Sequence, residues 1–190
     1  MMKKSFVFIA GVIFLAMFAA SAHAAPFAVD AFANSTSGGT GVATISLSAG
    51  EQFTVTVNPA DLWNAGDLPR WSNAGGLVAN LYATGSDASG QPFGTLIGQN
   101  WGTWTQNGLT APYGALVGQI GSGSFFLVGT SYLGTASAAG ILSLYYFDSN
   151  QSDNSGKITA NVSAVPLPSA VLLLAPGLLG LVGFRKRFKA

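Results

Sequence analysis

The densest oxygen chemistry in the chain lies in Tyr145-Tyr146-Phe147-Asp148-Ser149-Asn150-Gln151-Ser152-Asp153-Asn154-Ser155-Gly156. An apolar run ends at Phe147. Two carboxylates, with several amide and hydroxyl oxygens, follow in a short loop, and Gly156 allows a tight return into the next run. Calcium takes about six to eight hard oxygen ligands, mixing carboxylates with carbonyls. Asp148, Asp153, Asn154 and the loop carbonyls offer most of such a set. The same residue types also favour an ordinary polar hairpin turn, so composition alone leaves both readings open.

Four tryptophans form the second group. Trp63, Trp71, Trp101 and Trp104 all sit in polar, Gly-rich segments. Exposed aromatic faces stack on the apolar faces of sugar rings at recognition surfaces. Trp101-Gly-Thr-Trp104 lies in what reads as a long loop from about Gly90 to Ala111. Alternatively, the rings plug the ends of a folded body. As a glycosidase pair, Asp148 and Asp153 are poorly placed. Five residues apart on one turn, they suit a shared cation better than opposite faces of a glycosidic bond. Gly118-Gln-Ile-Gly-Ser-Gly123 is glycine-rich, but no helical pattern follows it, which argues against a phosphate cradle.

The chain holds no cysteine, and its one histidine, His23, stands near the N-terminus. Residues 25–164 therefore have no thiolate or imidazole for zinc, no Ser-His or Cys-His pair and no disulfide. Most hydrolase mechanisms are excluded, and no enzymatic activity is expected. All seven acidic residues lie in this body, against Arg70 and Lys157 alone, for a net charge of −5. An acidic body lacks the basic footprint that nucleic-acid binding needs.

Those residues need a scaffold. Phe27–Ala33 and Gln52–Val57 alternate at period two. Leu77–Ala83, Ala115–Ile120, Ser124–Gly129, Gly140–Phe147 and Lys157–Ser163 are compact, apolar and turn-bounded. Such runs read as strands, and no window sustains a helical period. About 140 residues suffice for one domain with a real core. The expectation is an all-β, jelly-roll-like antiparallel sandwich over residues 25–164, with helix only at the two ends.

Both ends are patterned. Met1-Met2-Lys3-Lys4 is a short positive region, Phe6 to Ala20 is apolar, and Ala22-His23-Ala24 places small residues where signal peptidase reads. This is a secretory signal peptide with cleavage expected after Ala24. At the other end Val165-Pro166-Leu167-Pro168-Ser169-Ala170 leads into the apolar run Val171 to Phe184, closed by Arg185, Lys186, Arg187 and Lys189. That pattern reads as a stop-transfer transmembrane helix with its basic end held in the cytoplasm. Residues 165–190 resemble the PEP-CTERM family of sorting signals, in the variant whose motif opens Val-Pro-Leu-Pro-Ala, though without Pro-Glu-Pro. The resemblance implies an exosortase-type processing enzyme as partner, cleavage near the motif and delivery to the envelope, cell surface or extracellular matrix after transient membrane anchoring.

The body carries a second resemblance. Pro112-Tyr-Gly-Ala-Leu-Val-Gly-Gln-Ile-Gly-Ser-Gly123, Phe125-Phe-Leu-Val-Gly129, Ile141 to Phe147, Asp148 and then Asp153-Asn154-Ser155-Gly156 resemble the bacterial calcium-dependent galactophilic lectins, which are small β-sandwiches. The match is best over residues 112–163. The resemblance implies that Asp148 ligates calcium and touches sugar hydroxyls, and that Asp153 and Asn154 bridge calcium and sugar. It further implies that Ser149 contacts the sugar through its backbone and that Gln151 lends a carbonyl. A further carbonyl would come from the region Trp63-Asn64-Ala65-Gly66. The family's His-x-x-Gln sugar element has no counterpart in the body. Two functions follow as expectations. One is a lectin-like domain binding carbohydrate, such as an exopolysaccharide of a biofilm, through calcium and Trp101 and Trp104. The other is a structural matrix or surface protein of the same fold without a sugar site.

Overall fold

A computed structural model of the chain describes residues 24–165. The expected signal peptide apart from Ala24, most of the expected sorting motif and the C-terminal apolar run lie outside the described residues. The described residues contain no helix, hence none long and apolar enough to cross a membrane. Their strands are β1 (Ala25–Asp30), β2 (Val42–Leu47), β3 (Gln52–Val57), β4 (Trp63–Asn64), β5 (Trp71–Ser72), β6 (Leu81–Tyr82) and β7 (Leu96–Gly98). They continue as β8 (Thr103–Gln106), β9 (Leu109–Pro112), β10 (Ala115–Ile120), β11 (Phe126–Leu127), β12 (Ser131–Thr135), β13 (Gly140–Phe147) and β14 (Ser155–Val165).

One sheet runs β12-β3-β14-β4-β5, with β1 also paired to β14; a second runs β11-β10-β13-β2. All pairings between named strands are antiparallel. β14 is the long central strand. β1 pairs with it from Ala25 opposite Val162 to Asp30 opposite Lys157. β3 pairs with it from Val57 opposite Ala160 to Gln52 opposite Val165. The chain then steps off β14 and returns as β4, Trp63 opposite Gly156 and Asn64 opposite Ser155. In the gap the Thr159 N–H donates to Asp61 Oδ2 at 3.2 Å, so this ladder donor is not orphaned.

Period-two burial explains the two layers. Phe53, Val55 and Val57 of β3 and Ile158, Ala160 and Val162 of β14 turn inward from the first sheet. Leu116, Leu142, Leu144 and Tyr146 meet them from the second, in one buried cluster. The second sheet is covered on its other face as well. Ala115, Val117 and Phe147 pack with Ala111 and the partly buried Trp104, Leu109, Phe125 and Tyr145. Double burial is why Ala115–Val117 and Leu144–Phe147 read as continuous apolar runs rather than alternating ones.

The described residues are therefore all-β, and two stacked antiparallel sheets fit the expected sandwich. The supposed loop from Gly90 to Ala111 needs correcting. Within it β7 pairs with β6, and β8 forms a hairpin with β9. That hairpin is the cover on the second sheet's outer face, and burial of Trp104 and Ala111 stabilises it where polar composition hid it. The run Leu77–Ala83 contracts to Leu81–Tyr82. Leu77 is buried in the main core and Ala83 in a small separate cluster with Leu62 and Ile97.

Candidate functional site

Asp148 stands immediately after β13, where the chain leaves the second sheet. Its backbone is clamped by Thr36: the Asp148 N–H donates to Thr36 Oγ1 at 3.3 Å, and that hydroxyl donates to Asp148 O at 3.1 Å. Thr36 is itself fixed, its N–H donating to Tyr146 O at 2.9 Å and its carbonyl accepting from Gln106 Nε2 at 2.9 Å. The Ser149 N–H donates to Asp148 Oδ1 at 2.7 Å. Asn150 Nδ2 donates to Asp153 Oδ1 at 2.9 Å, which ties the far side of the loop to its near side.

The opposite wall comes from the segment between β4 and β5. Arg70 Nη1 donates to Ala65 O and to Asp153 Oδ2, both at 3.1 Å. Gly66, at φ +120°, makes this approach feasible. A Cβ there would lie 2.5 Å from Asp153 Oδ2 and 2.8 Å from Arg70 Nη1. The guanidinium carbon lies 5.0 Å from the Trp101 ring centroid, a cation–π contact. Ala65, Arg70, Trp101, Tyr113, Asp148, Ser149, Asn150 and Asp153 together line an open cleft of about 120 Å³. Trp101 is 42 % exposed there, with the Arg70 guanidinium over its ring.

Beneath the cleft lies Trp63, fully buried, its Nε1 donating to Gly114 O at 2.8 Å and its ring edge-on to Tyr146 at 4.5 Å. Burial pushes the Tyr146 hydroxyl well above its ordinary pKa, and the Asp148 and Asp153 charges add to the shift. Burial likewise raises Asp148 to about 6. The Ser149 N–H and the Asn154 amide oppose that rise, and the Asp153 charge reinforces it. Among the described residues two buried side-chain polar atoms, Tyr146 Oη and Asn154 Oδ1, have no hydrogen-bond partner.

Asp148, Ser149, Asp153 and Trp101 are thus brought together. Gln151 is turned away, its Nε2 donating to Phe32 O at 2.6 Å. Asn154 is buried below the loop, its Nδ2 held by Ala31 O at 3.3 Å. Trp104 lies behind the cleft in the hairpin cover, stacked on Tyr113 at 6.3 Å. Trp63 and Trp71 belong to cores. Val165 is the last residue of β14, opposite Gln52.

As arranged, the donor set does not fit calcium. Ala65 O and Asp153 Oδ2 are taken by a guanidinium, Asp153 Oδ1 by Asn150 and Asp148 Oδ1 by Ser149. Among the described residues no three His, Cys, Asp or Glu side chains group around a common metal position. Arg70, Tyr113, Thr36 and Tyr146 were not picked out by sequence reasoning. Arg70 had a signal, as one of two basic residues in the body.

No protein-family model matches the chain, and neither does any curated protein. Among solved structures it is similar to the EclA N-terminal domain, described as a PllA-like lectin. The TM-score is 0.45 and the sequence identity 23 %, over 74 % of this chain and 95 % of that one.

Proposed function

We propose that this is an exported surface or extracellular-matrix protein whose folded domain binds carbohydrate in the cleft between Asp148, Asp153 and Trp101. One observation carries the reading. Carboxylates that accept from sugar hydroxyls, a guanidinium that donates to them and a half-exposed indole that covers a ring's apolar face share one small, open cleft. The role we propose is binding rather than catalysis, since the two carboxylates share one loop and residues 25–164 hold no imidazole or thiolate. Two carboxylates against one guanidinium, on a body of net charge −5, favour neutral or amino sugars over uronic acids. Glycan-array binding tests the assignment. Trp101→Ala is expected to weaken binding roughly tenfold while leaving the fold intact, because the ring is half-exposed. Undiminished binding by that variant would place the sugar elsewhere.

A second reading, a structural matrix protein without a sugar site, draws support from the same Arg70–Asp153 pair, which occupies groups a sugar would use. An array with no binding glycan would favour it.

The export part of the reading rests on the two terminal patterns. Secretion with cleavage after Ala24 would leave β1 whole, since it starts at Ala25. Tail removal by an exosortase-type enzyme would follow transient anchoring of the C-terminal helix. Mass spectrometry of native extracellular material is expected to show a chain beginning near Ala25 and ending within about Val165–Ala170. A mature form that keeps Arg185-Lys186-Arg187 would rule out the sorting claim.

A further inference from the structure

We propose that Arg70 is the resident cation of this cleft, holding the place between the Ala65 carbonyl and the Asp153 carboxylate that a calcium ion would take, so that the cleft engages polyhydroxylated ligands without metal. The inference rests on the carbohydrate reading above and specifies how that site works.

The geometry is that of a bridging cation. One nitrogen, Nη1, contacts a main-chain carbonyl from the β4–β5 segment and a carboxylate from the β13–β14 loop, each at 3.1 Å. A divalent ion shared by these two walls would need the same two oxygens. It would also lie against a guanidinium that is always charged. The arrangement is built in: Gly66 supplies the clearance, since a side chain there would strike both Asp153 and Arg70. The Trp101 ring holds the guanidinium from above. The other basic residue of the domain, Lys157, stands in β14 opposite Asp30 and leaves Arg70 as the one positive group lining the cleft. Calcium in such a position would act as an electrophile toward ligand hydroxyl oxygens. The remaining guanidinium N–H groups have no protein acceptor among the described residues, and they can donate to the same oxygens. The buried Asn154 Oδ1 has no hydrogen-bond partner, and of the Asp148 oxygens Oδ1 is held by the Ser149 N–H. Asn154 Oδ1 and Asp148 Oδ2 together fall well short of the roughly six to eight oxygens that calcium takes.

The test is thermal unfolding and calorimetry with calcium alone, in the wild-type protein and in Arg70→Met and Arg70→Lys. The wild-type melting temperature is expected to be the same in millimolar calcium and in chelator, with no calcium heat. Arg70→Met keeps the apolar stem against Trp101 but removes the charge. Its melting temperature should rise by several degrees on adding millimolar calcium. Arg70→Lys retains a cation and should stay indifferent. If Arg70→Met does not fold, Arg70→Gln takes its place. A calcium response in the wild type overturns the proposal, and so does a neutral Arg70 variant that folds yet gains none. Glycan binding is read separately. Calcium behaviour as expected with no glycan bound would leave the cation assignment standing and remove the carbohydrate reading.

Discussion

Trp63→Ala is expected to lower the melting temperature of the domain by on the order of 10–20 °C. Removing a fully buried Trp typically costs about 3–5 kcal/mol through lost transfer energy and an unfilled cavity. In a domain of this size each kcal/mol is worth roughly 3–5 °C. Three observations put this residue at the severe end. The side chain has no solvent exposure, its ring meets Tyr146 edge-on at 4.5 Å, and its indole N–H satisfies Gly114 O at 2.8 Å. Trp63→Phe separates the contributions. It keeps an aromatic ring and loses the hydrogen bond, for which about 1–2 kcal/mol is expected. Differential scanning calorimetry of both variants checks the assignment. A drop under about 4 °C for the alanine variant would mean that the surrounding core closes over the gap and that Trp63 is not its keystone.

Asp148→Asn is expected to move stability and binding in opposite directions. Burial lifts the folded-state pKa of Asp148 to about 6 from the ordinary 3.8, against the Ser149 N–H and the Asn154 amide and with the Asp153 charge adding to the rise. Between those two values the folded protein holds a proton that the unfolded chain has released. Stability therefore falls as pH rises through this window and levels off above it. The asparagine variant has no such charge to bury, so its melting temperature should exceed the wild-type value near pH 7.5. The two curves should converge as pH falls toward 4. Asp87, held down to about 2 mainly by the hydroxyl of Ser89, titrates below that window and does not obscure it. Binding goes the other way. A charge-assisted hydrogen bond to a ligand hydroxyl is replaced by a neutral one, for a loss of roughly ten- to a hundredfold. A pH-independent stability difference would show that Asp148 is not the group being titrated.

The sequence was informative where burial was simple. The expected runs Gln52–Val57, Ala115–Ile120 and Gly140–Phe147 coincide with β3, β10 and β13, all of which have paired neighbours on both edges. Edge strands were harder to see. β12 carries Gly134 and exposed Leu133, and β2 is rich in small and hydroxyl residues, so neither shows a strong apolar face. β4 is a two-residue segment whose identity comes from pairing with β14 rather than from its own pattern. Within the site, the local cluster Asp148, Ser149 and Asp153 was legible because it lies on one loop. The Arg70–Asp153 contact joins residues 83 positions apart, and nothing in local composition announces such a pair. Gln151 and Trp104 had suitable chemistry but point elsewhere, a matter of side-chain direction that spacing does not encode.

The position of β14 in its sheet has a consequence for how the domain comes into being. β1 pairs only with this strand, and β3 and β4 both line its other edge. Yet β14 is the last of the strands to be synthesised. Until residues 155–165 have emerged, the strands that flank it have no common template. The register that places Ala25 beside Val162 closes a loop spanning nearly the whole domain. Such long-range closure is entropically costly and slow. An N-terminal fragment emerging first cannot complete this sheet, so final assembly waits for the arrival of its closing segment.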